Sequence, residues 1–197
     1  GRAIANGRDE GFTKLLFDGQ TQYVLKITKD VGLANDRPSF ILDAQHHARE
    51  VMTAEIARDM ICYLTNIYES PDPAICPNYN PDPPTQARVQ RWVDNINIYI
   101  VPSANPDGAM YVFTTDNMWR KNRQRSCAVD VNRNYPFLWG SCNGSSGSCS
   151  DETYRGFEPG SEPETQGMLG LFSSSHSFFS LSYHTYGEYL MYSYGCT

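Results

Sequence analysis

The sequence predicts an α/β domain built on a mixed, mostly parallel twisted sheet with helices on both faces. Two observations carry this. Short apolar runs of strand length alternate with longer runs of helical period, the pattern that packs helices on a sheet. The 197 residues are 40% hydrophobic and 13% aromatic, enough to bury a core and too apolar for a disordered chain. No internal repeat is visible.

Each element has its own signal. Asn6-Gly7 and Asp18-Gly19 are turn pairs, so short hairpins are expected in the first twenty residues. Tyr23 to Ile27 reads as a strand and Gly32 to Pro38 as a polar loop. Ser39 to Asp43 reads as a second, buried strand, followed by the polar run Ala44 to Glu50. Met52, Ile56, Met60, Tyr63 and Ile67 then recur at helical spacing and predict a helix over roughly Glu50 to Tyr68. Residues 71–84 hold six of the twelve prolines and are expected to be neither helix nor central strand. Cys62 and Cys76 could staple that loop to the helix. A short helix follows over Thr85 to Val93, then a third strand over Ile96 to Val101. Residues 114–160 read as a long irregular stretch, which in a compact domain is usually functional. Glu162 to Phe172 reads as a helix, Phe178 to Tyr183 as a fourth strand and Tyr189 to Tyr192 as a fifth.

Composition excludes several function classes. The net charge is −6, which argues against a nucleic-acid partner because that needs a basic face. No apolar run approaches the roughly 18 residues of a membrane span. The six cysteines form no C-x-x-C pair, so a zinc ribbon is not supported; an even, scattered set fits an exported protein with disulfides, with free buried thiols as the competing reading. Asn143-Gly144-Ser145 is a glycosylation sequon in a Gly/Ser-rich loop.

Two constellations could carry chemistry. In open α/β sheets, sites collect beyond the carboxyl ends of strands. His46 and His47 lie just beyond the second strand and His184 just beyond the fourth, while His176 lies at the opposite edge. His47 and Glu50 are three apart where a strand turns into a helix, so both could face one ion, with His184 closing a three-ligand set. Alternatively, His47 is a surface residue and Glu50 an acid that starts a helix. The second constellation is basic: Arg120, Lys121, Arg123, Arg125 and Arg133 stand against one acid, Asp130. Arginine forks match a carboxylate or phosphate bidentately. A solvated charged loop is the competing reading.

Six motifs in order make the chain resemble the zinc metallocarboxypeptidases, the funnelins of carboxypeptidase A, B and T type. They are His47-Ala48-Arg49-Glu50, Asn105-Pro106-Asp107-Gly108, Trp119-Arg120-Lys121-Asn122-Arg123, Asp130-Val131-Asn132-Arg133-Asn134-Tyr135, Glu152-Thr153-Tyr154-Arg155-Gly156 and Ser182-Tyr183-His184-Thr185-Tyr186. Their wording is most similar to the carboxypeptidase T branch. The resemblance implies an extracellular exopeptidase that uses one Zn2+ ion to hydrolyse the C-terminal bond of peptides and proteins, as a monomer without membrane or nucleic-acid partners. It implies His47, Glu50 and His184 as zinc ligands and Arg120 as stabiliser of the oxyanion. Asn132 and Arg133 would hold the substrate carboxylate, and Arg49 and Tyr186 would line neighbouring subsites. It implies a cis bond between Thr185 and Tyr186, and a disulfide from Cys127 to Cys149 or Cys142. It also implies that residues 1–197 are a partial catalytic domain, incomplete at both ends. The family's general-base glutamate, specificity residue and capping tyrosine follow the Tyr192-Ser193-Tyr194-Gly195 segment. Glu164 and Glu188 do not match the base position. A non-catalytic zinc- or peptide-binding relative and a zinc deacylase of the same superfamily are the alternative readings.

Overall fold

The computed structural model describes residues 18–32, 36–69, 82–141 and 143–193. Four strands form one sheet: β1 (Leu25–Ile27), β2 (Ser39–Ala44), β3 (Asn97–Val101) and β4 (Ser177–Tyr183), in the order β1-β3-β2-β4. β2 pairs parallel with both β3 and β4, and β1 runs antiparallel to β3. The expected mixed, mostly parallel sheet is therefore present. β2 has neighbours on both sides and is covered on both faces, which is why its Ile41, Leu42 and Ala44 are at most 1% exposed.

The two faces hold separate cores. Helix α1 (Val51–Glu69) and helix α2 (Pro83–Asn95) cover one face, where Ala57, Leu64, Ile67, Val89 and Val93 pack with Ile27, Leu42, Ile98 and Ile100. On the other face Met168 and Leu171 of helix α4 (Pro163–Ser175) pack with Ile41 and Val101. The buried stripe of α1 runs through Thr53, Ala57, Leu64 and Ile67; Met52 and Ile56, expected on the core side, are 60% and 40% exposed.

Three further expectations are corrected. α2 begins at Pro83, inside the stretch read as loop, because Asp82 caps it by accepting from Thr85 N–H at 3.1 Å and prolines suit the first helical turn, where the missing N–H is not needed. The Asn105-Pro106-Asp107-Gly108 segment opens an unpredicted helix, α3 (Pro106–Thr114), capped by Asn105. Tyr189 to Tyr192 is not a strand; these residues make no ladder and are 82–90% exposed. At Asp18-Gly19 the N–H groups of Asp18 and Gln20 donate to the Asp107 carboxylate, tying this turn to α3; the residues before it, on which the expected hairpin depends, lie outside the described ones. The Asn6-Gly7 turn lies outside the described residues, as do Cys76, Cys142 and Cys196. Cys62 is disulfide-bonded. Cys127 pairs with Cys149, and the Thr185–Tyr186 bond is cis.

Candidate metal centre

The centre forms where β2 and β4 end side by side. Ala44 is in register with Tyr183, so the next residues of each strand leave the sheet at the same rim. After β2 the chain turns sharply at Gln45, whose φ of 54° is rare for a residue with a side chain. That turn is fixed internally: Gln45 N–H donates to Thr53 Oγ1 at 3.0 Å and Gln45 Nε2 donates to Ala48 O at 3.1 Å. The N–H of Ala48 donates to Arg120 O at 2.9 Å, joining the turn to the basic segment. Asn105 joins the same parts, since its Nδ2 donates to both His46 O and Lys121 O at 3.1 Å.

Three side chains converge. His47 Nδ1 lies 2.7 Å from Glu50 Oε1, His184 Nδ1 lies 3.0 Å from Glu50 Oε2, and the two Nδ1 atoms are 3.2 Å apart. The ligand atoms of the three residues all lie within 4.8 Å of one another. Two imidazole nitrogens facing each other at this distance repel if both present lone pairs, and a carboxylate on the same side favours a cation between them. The donor set fits a single zinc ion, which takes His nitrogen and carboxylate oxygen. The hydrogen bonds from both histidines hold Glu50 down at about 2 against the upward pull of burial.

A carboxylate backs the centre. Asp130, fully buried, places Oδ1 3.2 Å from the far nitrogen of His47, Nε2, with the N–H out of line for a full hydrogen bond. Its other oxygen accepts from Arg120 Nη2 at 2.8 Å and Nε at 3.2 Å. Burial would raise Asp130, but His47 and then Arg120 outweigh it and hold it near about 2. Burial likewise works to lower His47, and the Asp130 and Glu50 carboxylates more than reverse that, raising it. Asp130 Oδ1 also accepts from Asn132 N–H at 3.0 Å, capping the short 3-10 turn Val131–Arg133. One carboxylate thus links His47, Arg120 and the main chain of Asn132, and the Asp130 carbonyl accepts from Arg133 N–H at 2.9 Å. Sequence reading counted Asp130 only as the acid amid the basic residues; its place at the head of D-x-N-R-N was the available signal.

The remaining candidates sit apart from this linked set. Arg49 Nη1 donates to Met118 O at 3.1 Å and faces Glu152 at 3.6 Å. Tyr186 is fully exposed beside His184. His46 is no part of the metal set: its Nε2 meets Tyr135 OH at 2.8 Å and its Nδ1 lies 3.2 Å from Asp43. Behind His184, Ser182 Oγ donates to Asp43 Oδ1 at 2.5 Å and lies 3.4 Å from His184 Nε2.

Known proteins resemble this chain in sequence and fold. Carboxypeptidase B of Astacus astacus is 32% identical over 202 residues, covering 98% of this chain and 58% of its own length. Metallocarboxypeptidase A of Trichophyton tonsurans is 33% identical over 191 residues, covering 91% of this chain and 41% of its own length. The chain thus spans roughly two to three fifths of these relatives. Among solved structures, carboxypeptidase A from Helicoverpa armigera superposes with a TM-score of 0.69 at 25% identity, over 87% of this chain and 39% of that one. Thrombin-activatable fibrinolysis inhibitor, at 23% identity, shares the fold with a TM-score of 0.71 over 94% of this chain and 43% of that one. The profile of the zinc carboxypeptidases matches residues 17–197. By motif order, fold and profile alike, the chain belongs to the zinc carboxypeptidase family.

Proposed function

We propose that the protein is a zinc-dependent exopeptidase that removes residues from the C-terminal ends of peptides and proteins. The observation that carries this reading is the union of two sites through Asp130: a His47–Glu50–His184 donor set on one oxygen, and Arg120 on the other. Zinc held by His47, Glu50 and His184 would supply Lewis acidity toward the scissile carbonyl and water. Arg120 is oriented by Asp130 and sits in a largely buried setting, so its charge would act with little screening on negative charge developing at that carbonyl. Asn132 and Arg133 project from the turn that Asp130 caps and would grip the free carboxylate of the substrate, which selects a chain end over an internal bond. Arg49 and Tyr186, near the rim, would contact residues before the scissile bond.

The Cys127–Cys149 disulfide and bonded Cys62 support an extracellular setting. No helix among the described residues is long and apolar enough to cross a membrane. We read residues 1–197 as the zinc- and carboxylate-holding part of a larger catalytic domain, which the fraction of the relatives spanned supports, and we read that domain as a monomer. Glu164 is buried against Asn122, which supports its rejection as general base. The reading expects residues 1–197 alone to bind zinc and C-terminal carboxylates without efficient turnover, and the longer protein to release C-terminal residues. Peptide hydrolysis with and without a chelator is the test: activity that survives metal removal sinks the reading.

A further inference from the structure

We propose that Asn143-Gly144 is a self-modifying site, and that its ageing loosens Arg133. The functional half of this rests on the carboxylate-binding role given to Arg133 above.

Asparagine followed by glycine is the pair most open to intramolecular attack, because glycine places no side chain in the way of its own amide nitrogen. Both residues are exposed, and a Cβ built on Gly144 would meet nothing within 4 Å. Among the described residues, no group accepts from Gly144 N–H. The contrast is Asp107-Gly108, which has the same potential chemistry but is buried in α3, with Gly108 pressed against Asn105 and Lys121. The step balances without a cofactor. Gly144 N attacks Asn143 Cγ, forming the N–Cγ bond; the Cγ–Nδ2 bond breaks, and Nδ2 leaves as ammonia with the Gly144 proton. Water then opens the cyclic imide at either carbonyl, giving aspartate or isoaspartate.

The consequence reaches Arg133 through one bond. Arg133 Nε donates to Gly144 O at 2.6 Å, and its Nη1 donates to Asn132 O at 3.2 Å. Isoaspartate inserts a methylene into the main chain immediately before Gly144, which shifts that carbonyl. Either product adds a carboxylate that competes with the substrate carboxylate for the same guanidinium. A hydrogen bond to a charged group is worth enough that its loss weakens binding at least about tenfold.

The experiment ages the full 197-residue chain in mildly alkaline buffer and compares it with fresh chain and with Gly144→Ala. The alanine fits, since the site is open and Gly144 does not occupy the left-handed region. Peptide mapping by mass spectrometry should show aspartate and isoaspartate accumulating at Asn143 in the wild type and far more slowly in Gly144→Ala. The Arg133 Nε–H should exchange faster with solvent in aged wild type, read by NMR. Calorimetry with a peptide bearing a free carboxylate should show the tenfold loss in aged wild type only. An intact Asn143 carboxamide, a glycan on Asn143, or conversion with an unchanged Arg133 signal would each overturn the proposal. If fresh chain binds no carboxylate while the mass and NMR changes appear, the role given to Arg133 fails and the ageing site stands.

Discussion

Glu164→Gln tests an interior carboxyl that burial pushes upward. Glu162 and Glu164 are 1% and 0% exposed and share one donor: Asn122 Nδ2 reaches Glu162 Oε2 at 2.7 Å and Glu164 Oε2 at 3.2 Å. Glu164 Oε1 is buried with no hydrogen-bond partner, a position an ionised carboxylate tolerates poorly. Burial above all, with the charges of Glu162 and Asp107 adding to it against the Asn122 hydrogen bond, raises Glu164 from 4.5 to about 7. The folded chain therefore holds this proton more tightly than the unfolded chain does. The stability it contributes is complete below about pH 4.5, falls as pH rises, and is gone above about 7. At 1.36 kcal/mol for each tenfold step, the interval of about 2.5 corresponds to about 3 kcal/mol. Glutamine keeps an acceptor for Asn122 and cannot ionise, so the variant should lack this decline. Urea unfolding of both proteins at about pH 5 and about pH 8 reads the difference. About 2.5 kcal/mol of this is lost between those two pH values, so with a slope near 2 kcal/mol per molar the wild-type midpoint should fall by about 1.2 M more than that of the variant. Equal declines in the two proteins would refute the assignment of the proton to Glu164.

Asp130→Asn should weaken zinc binding by about tenfold to a hundredfold, measured by competition with a chelator, because it removes the carboxylate behind His47. His184→Ala should abolish stoichiometric zinc uptake in the same assay while leaving the far-ultraviolet circular dichroism unchanged. Replacing both Cys127 and Cys149 by serine opens a bridge with a sequence separation of 22 and should cost about 3 kcal/mol of unfolding free energy. Gly108→Ala should destabilise by about 1–3 kcal/mol in chemical unfolding, since its Cβ would lie 2.7 Å from the Lys121 carbonyl and from the Asn105 side chain.

The sheet and the candidate metal set were legible in the sequence for one reason: both depend on local pattern plus chain order. Ser39–Ala44 and Ser177–Tyr183 were readable as strands, and strand ends are where His47 and His184 had to emerge. What pattern could not supply was the partner of each polar group. Asp130 reads only as the one acid in a basic run, yet it is buried, with His47, Arg120 and Asn132 all pointing at it. Tyr189 to Tyr192 shows the converse failure. The run is apolar enough for a strand, but a strand needs a neighbour to pair with, and among the described residues none lies beside it. The start of α2 was missed because prolines were read as breakers, although at the first turn they are starters.

The irregular segment between α3 and α4 raises a physical question, because it must hold Arg120, Asn132 and Arg133 steady with almost no ladder of its own. Its rigidity comes from buried amides. Asn134 Nδ2 donates to Arg155 O, Glu158 O and Ser161 Oγ, while its Oδ1 accepts from Glu162 N–H. Asn122 Oδ1 accepts from Gln124 and Val129 N–H as its Nδ2 holds the two glutamates. Lys121 Nζ donates to Cys149 O and Asp151 O, so the disulfide loop is fastened to the residue after Arg120. Asn105, Asn122, Asp130 and Asn134 are all 0% exposed. Buried backbone groups must find partners, and here side chains supply what strands and helices supply elsewhere. An apolar residue in place of Asn105, Asn122 or Asn134 would fill the volume and orphan several main-chain groups at once, so this part of the fold is specified by polar complementarity where the sheet is specified by apolar packing.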